Sequence, residues 1–278
     1  QKTAYEIGVR LVGSEMCIRD SYMHPMLNIA IRAARAAGDS IVREMDRACD
    51  ISVETKGKND FVTEVDKNAE EIIINTIKNA YPNHAFLAEE TGQRGESDFL
   101  WIIDPLDGTT NFLHNFPHFA VSIALQHKEV LQQAVVYDPL KQELFTASKG
   151  KGALVNNRKI RVSAKTSLDG ALLGTGFPFN NEKAMVSFVE SFKALFPTVA
   201  GIRRAGVASL DLAYVASGRL DGFWEFNLKP WDIAAGALLV QEAGGINAEL
   251  TGGTSFMETG SIISGNPKII KAMLKKIQ

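Results

Sequence analysis

The segment Phe99-Leu100-Trp101-Ile102-Ile103-Asp104-Pro105-Leu106-Asp107-Gly108-Thr109-Thr110-Asn111 decides how the chain is read. An apolar run of strand-like composition stops abruptly at two carboxylates three residues apart. Aimed at one spot beyond the strand end, Asp104 and Asp107 would suit a hard cation such as Mg²⁺, which takes carboxylate oxygens together with water and substrate phosphate. If Gly108 to Asn111 open a helix, their backbone amides face the same spot and suit an anion. A cation site beside an anion site points to metal-assisted phosphoryl chemistry. Asp-Gly between apolar runs is equally a hairpin-turn signal, so this segment alone leaves both readings open.

The rest of the chain sets bounds. It has 278 residues, 45% of them hydrophobic, enough for one large domain or two tightly joined halves. A net charge of −2 and a pI near 6.3 give no basic stripe of the kind that grips nucleic acid. No apolar run approaches the ~20 residues needed to span a bilayer. Cys17 and Cys49 make no disulfide framework, which fits a reducing cytoplasm. His114 and His118 have the spacing of a helical metal pair, but Pro117 between them argues against a continuous helix. Residues 1–22 lack amphipathic period, and Met23-His24-Pro25-Met26 opens an orderly helical pattern. Met23 is therefore read as the native start and residues 1–22 as a non-native or disordered extension.

Leu27, Ile31, Ala34, Ile41 and Met45 recur at helical spacing. A second helix follows Thr63-Glu64-Val65-Asp66, which resembles a capping box, and ends at Tyr81-Pro82. Ala85–Leu87, Phe99–Ile103, Ala120–Leu125, Gln133–Tyr137 and Glu143–Ala147 read as strands. Beyond them, helices are expected at Leu210–Ser217, Ile233–Ala243 and Pro267–Ile277, and strands near Ala171–Gly174, Gly222–Phe226 and Ser261–Ile263. Without a repeat or linker, the two halves, about 23–165 and 166–278, share one body.

Four further acidic loci stand out: Asp66 at the second helix, Glu89-Glu90 at a turn, Glu225 after Phe223-Trp224, and Asp232 after Pro230-Trp231. Each has an ordinary explanation; Asp66 completes a cap, Asp232 serves as an N-cap, and Glu89-Glu90 is a solvated turn. Jointly, carboxylates at strand ends and helix starts are what a multi-metal phosphatase needs.

Trp101-Ile102-Ile103-Asp104-Pro105-Leu106-Asp107-Gly108-Thr109-Thr110-Asn111-Phe112, and Trp231-Asp232-Ile233-Ala234-Ala235-Gly236-Ala237 followed by Glu242-Ala243-Gly244-Gly245, resemble the two signatures of the inositol monophosphatase family. Asp60-Phe61-Val62-Thr63-Glu64-Val65-Asp66 and Glu89-Glu90-Thr91-Gly92 match two more of its segments, in order, and the resemblance runs from Met23 to the C-terminus. It implies a layered αβαβα sandwich of the sugar-phosphatase superfamily, α+β in composition and usually a homodimer. It implies two to three Mg²⁺ ions on Glu89, Asp104, the Leu106 carbonyl, Asp107 and Asp232. Gly108 and Thr109 would offer amides to the phosphate, and Asp66 with Thr109 would orient and deprotonate the attacking water. Lys56 to Asp60 would form a mobile loop near the metals. Asp107, Ala208, Glu225 and Asp232 would lie against the substrate, with Gly206 and Val207 nearby.

The implied activity is hydrolysis of inositol 1-phosphate by metal-activated water, without a phosphoenzyme and sensitive to lithium. Sister phosphatases of fructose 1,6-bisphosphate or 3′-phosphoadenosine 5′-phosphate share the metal motif. Substrate choice would lie around Gly174–Phe179, Arg203–Ser209 and Glu225. The bacterial members most similar to this chain also join the ribosomal RNA transcription antitermination complex, which implies contacts with RNA polymerase or a Nus-type factor. Arg203-Arg204 and the basic C-terminal helix are the candidate surface, though solvated surface charge is the preferred account of them.

Overall fold

A computed structural model describes residues 24–45, 53–57, 60–179 and 181–277. The expectations for residues 1–22, Met23, Cys17 and Cys49 fall outside these. Helix α1 (Pro25–Met45) buries Leu27, Ala30, Ala33, Ala34, Ala37 and Ile41 along one stripe. Strands β1 (Val53–Gly57) and β2 (Asp60–Thr63) form a hairpin in which Gly57 pairs with Asp60, so Lys56 and Asp60 lie on strands flanking its tip. Helix α2 (Glu64–Ala80) starts at the expected capping box. The Thr63 hydroxyl accepts from the Val65 and Asp66 amides, and the Asp66 carboxylate accepts from the Thr63 amide.

A sheet of eight strands follows: β3 (Ala85–Ala88), β4 (Gly92–Arg94), β5 (Phe99–Asp107), β6 (Ala120–His127), β7 (Val130–Asp138), β8 (Glu143–Ser148), β9 (Gly152–Val155) and β10 (Arg158–Lys159). Their order is β10-β9-β8-β7-β6-β5-β3-β4, antiparallel except where β3 runs parallel to β5. Both faces are covered. Trp101, Ile103, Val121, Ile123, Leu125, Val135 and Tyr137 pack under α1 and α2, while Ile102, Ala124, Ala134, Val136, Phe145 and Ala147 face the opposite way. Two buried faces explain why these strands read as unbroken apolar runs rather than alternating ones.

The second half supplies a five-stranded sheet of β11 (Leu172–Thr175), β12 (Gly201–Arg203), β13 (Gly222–Glu225), β14 (Ile246–Ala248) and β15 (Ile262–Gly265), ordered β12-β11-β13-β15-β14. Between the sheets lie α5 (Ala208–Ala216) and α6 (Pro230–Glu242), apolar on nearly every side because they touch both. The outer face of the small sheet carries α4 (Glu182–Leu195) and α8 (Pro267–Ile277), which buries Ile269, Ile270 and Met273. Short helices α3 (Thr109–Leu113) and α7 (Phe256–Thr259) and a 3₁₀ turn (Phe196–Thr198) complete the elements. The layers are the expected αβαβα sandwich in a single compact body. No helix among the described residues is long and apolar enough to cross a membrane.

Candidate active site

The site begins with an irregularity in β5. Asp104 pairs with Ser122 and Asp107 with Ala120, so three steps on β5 oppose two on β6. In a regular strand, residues three apart point to opposite faces. The extra residue cancels that alternation and returns both carboxylates to one side. Pro105 sits inside the bulge, where a missing amide costs no ladder hydrogen bond. The Asp104 carboxylate accepts from the Leu106 amide at 3.0 Å. That of Asp107 accepts from the Ser209 amide, in the first turn of α5, at 2.8 Å.

The other carboxylates arrive from neighbouring elements. Glu89 directly follows β3, the parallel neighbour of β5, and its amide donates to the Ile103 carbonyl at 3.1 Å. Asp232 lies in the first turn of α6, one residue after Trp231, whose carbonyl accepts from the Ser122 hydroxyl at 3.2 Å. Ser122 is the register partner of Asp104. Asp232 is not the N-cap expected of it: Lys229 holds that place, and Asp232, three residues later, accepts from the Lys229 amide at 2.7 Å. A carboxylate there complements the helix start.

These acids repel one another. Burial, then Glu89, Asp107 and Asp232, push the Asp104 carboxyl well above the ordinary carboxylate range. Asp232 is raised by burial and by Asp107 and Glu89. Burial lifts Asp107 to about 6 against the opposing pull of hydrogen bonds from Ser209 and Ala208. Among the described residues no three such side chains already surround a single point as a closed ligand cage. The donor set is nonetheless all oxygen and concentrated at one strand end, and its mutual repulsion is what a bound cation would relieve; it fits Mg²⁺ chemically.

Beside Thr109 stands Asp66, 1% exposed, with partners on both carboxylate oxygens. One oxygen accepts from the Thr63 amide at 2.8 Å and the Thr63 hydroxyl at 2.5 Å; the other accepts from the Thr109 hydroxyl at 2.9 Å. Burial outweighs these bonds and raises its pKa. The Thr109 hydroxyl also lies 3.2 Å from the Leu106 carbonyl, so its single proton has two acceptors. Thr109 opens α3, as expected of the segment after Asp107, with Gly108 as cap at φ +100°. A side chain at Gly108 would also meet Val207 at 2.8 Å and the His118 carbonyl at 3.2 Å. Asn111 ties this turn across the molecule, donating to the carbonyls of His118 at 2.9 Å and Ala205 at 3.0 Å. Gly206, Val207 and Ala208 thereby lie beside Gly108 and Thr109. His118 is buried and His114 exposed, so the two histidines form no pair.

Glu225 ends β13 and lies directly over Gly176, where a Cβ would sit 1.8 Å from its Oε1. Burial, then Asp211 and Asp107, raise the Glu225 carboxyl strongly; Arg204 counteracts. Arg204 itself stacks on Phe177 and Phe179, at 4.9 and 5.1 Å from their ring centroids. Asp211, 2% exposed, was not singled out in the sequence. Its signal is an acid inside the otherwise apolar helix α5. Glu242, quoted within the second signature, serves the fold instead: it accepts from the amides of Gly150 and Gly152 at 2.8 and 2.7 Å, closing the β8–β9 turn.

The profile of the inositol monophosphatase family matches residues 22–278. A protein of Pseudomonas aeruginosa named Nus factor SuhB is 56% identical over 92% of this chain and 97% of its own. The crystal structure of the extragenic suppressor protein suhB from Bartonella henselae superposes with a TM-score of 0.89 at 42% identity, covering 92% of this chain and 99% of that one. An inositol monophosphatase from Anabaena superposes with a TM-score of 0.81 at 38% identity, over 90% and 94% of the two chains.

Proposed function

From the premise that the chain belongs to the inositol monophosphatase family, we propose that it is a cytoplasmic, homodimeric, Mg²⁺-dependent phosphatase that hydrolyses inositol 1-phosphate. The observation that carries this reading is the Asp66–Thr109 hydrogen bond, 2.9 Å long, set at the end of the strand that bears Asp104 and Asp107. Two to three Mg²⁺ ions held by Glu89, Asp104, the Leu106 carbonyl, Asp107 and Asp232 would neutralise the phosphate dianion and make hydroxide available near neutral pH.

The chain's own groups then act as follows. The amides of Gly108 and Thr109, at the start of α3 where no intrahelical acceptor is available, hold the phosphate oxygens. The Thr109 hydroxyl takes a proton from the attacking water as it passes its own to Asp66 Oδ1, so that the water becomes hydroxide, Thr109 stays neutral and Asp66 holds the proton. Asp66 suits this role because burial has raised its proton affinity while three hydrogen bonds fix its position. Glu225, with Asp107, Asp232 and Ala208, contacts the polyol hydroxyls, and Gly206 and Val207 shape that wall. Lys56 and Asp60, on paired strands β1 and β2, lie in the hairpin that leads into α2 and Asp66. Sensitivity to lithium is expected from the family resemblance.

Comparative turnover of inositol 1-phosphate, fructose 1,6-bisphosphate and 3′-phosphoadenosine 5′-phosphate tests the substrate. Preference for the first is expected; preference for either of the others transfers the reading to a sister phosphatase. A second role is favoured by the name of the relatives, Nus factor SuhB. In it this chain joins the ribosomal RNA antitermination complex through RNA polymerase or another Nus factor. Capture of such a partner by the Asp104→Asn protein would separate that role from catalysis.

A further inference from the structure

Helix α2 carries a second buried acid one turn beyond Asp66. Glu70 is 1% exposed, on the face that also buries Ala69, Ile73 and Ile77. Its Oε2 accepts from the Glu90 amide at 2.8 Å, a contact spanning 20 residues of sequence. Its Oε1 is buried and has no hydrogen-bond partner among the described residues. A buried carboxylate satisfied on one oxygen only is a poor way to stabilise a fold.

The geometry assigns it another task. Glu89 projects from a residue whose two flanking peptide groups are both held. The amide before its side chain donates to the Ile103 carbonyl at 3.1 Å; the amide after it, that of Glu90, donates to Glu70. Ile103 immediately precedes Asp104. One bond thus ties Glu89 to β5 and the other ties it to α2, whose preceding turn holds Thr109 through Asp66. The first turns of α2 work as a ruler between the proton-accepting pair and the Glu89 ligand.

We infer that Glu70 is a positioning residue that orients the backbone of Glu89 for cation binding, by accepting the Glu90 amide. This rests on the assignment of Glu89 as a Mg²⁺ ligand under the proposed function. Groups that orient metal ligands typically govern about 10–100-fold in affinity.

The test is Mg²⁺ binding to the full chain, followed by calorimetry and by the Mg²⁺-induced rise in Tm, both independent of turnover. Glu70→Ala removes the acceptor and is expected to weaken Mg²⁺ about 10–100-fold. Glu70→Gln keeps an acceptor oxygen at the same reach and is expected to restore affinity to within about threefold. Glu70→Asp keeps the charge but falls one methylene short, so it should behave like Glu70→Ala; it also decides the matter if the alanine protein does not fold. Parent-like Mg²⁺ affinity in Glu70→Ala or Glu70→Asp overturns the inference. So does a Glu70→Gln protein as weak as Glu70→Ala, because charge rather than the hydrogen bond would then matter. Failure of the parent to bind Mg²⁺ brings down the proposed function itself, which is a distinct result.

Discussion

Replacing Asp107 by asparagine should make the protein more stable and catalytically dead at the same time. The Asp107 carboxyl is lifted from 3.8 to about 6, chiefly by burial. Because the folded state holds its proton more tightly than the unfolded chain, ionisation costs stability as pH rises through this window. The cost is absent well below pH 3.8 and complete above about 6. At about 1.4 kcal/mol per pKa unit, the full penalty is about 3 kcal/mol. Asparagine carries no charge and keeps an oxygen for the Ser209 amide, which Asp107 engages at 2.8 Å. In chelator, Asp107→Asn should therefore unfold several degrees above the parent at about pH 8, with the advantage vanishing near pH 4. Adding Mg²⁺ should stabilise the parent and leave the variant nearly unchanged. Differential scanning calorimetry in chelator and in Mg²⁺ at the two pH values reads all four states. A variant less stable than the parent at about pH 8 in chelator, or one with an advantage independent of pH, would refute the claim that the carboxylates are held at a cost which the cation relieves.

Two substitutions address the separate parts of the site. Thr109→Ala removes the hydroxyl 2.9 Å from Asp66 and should lower kcat by about 10²–10⁴-fold with Mg²⁺ affinity retained, as followed by steady-state kinetics and calorimetry. A loss smaller than tenfold would exclude the pair from proton transfer. Gly176→Ala would place a methyl 1.8 Å from Glu225 Oε1 and displace that carboxylate; KM for inositol 1-phosphate should rise while hydrolysis of a simple aryl phosphate persists. Equal loss on both substrates would mean that Glu225 does not read the polyol.

The parts of the fold that could be read in the sequence are those with an unambiguous burial pattern. Strands β5 to β8 are buried on both faces and stand out as apolar runs, and α5 and α6 stand out for the same reason. Helix α4 escaped because it covers only one edge of the small sheet. Val186 and Val189 are exposed on it, which blurs its period. Strands β4, β12 and β14 are three residues long, too short to carry an alternation.

At the site, the abrupt end of β5 in two acids was legible, but the reason they cooperate was not. Their odd spacing would set them on opposite faces without the bulge, and bulges leave little trace in sequence beyond Pro105. Asp232 was legible as an acid at a helix start, but as the N-cap rather than as the third residue inside the helix. Glu70 and Asp211 were overlooked because each falls inside a helix whose pattern had already been explained by packing. An acid on the buried face of an amphipathic or wholly apolar helix is the signal that would have found both.

The most direct test is phosphate release from inositol 1-phosphate by the full chain, titrated with Mg²⁺, in the parent and in Asp104→Asn. Asp104 is 2% exposed, and the charges of Glu89, Asp107 and Asp232 all act on it, so its removal is the change to which the acidic cluster is most sensitive. Mg²⁺-dependent turnover is expected in the parent, with loss by several orders of magnitude in a folded Asp104→Asn protein. Near-parental turnover in that variant, or no release from a folded, Mg²⁺-saturated parent, would contradict that expectation.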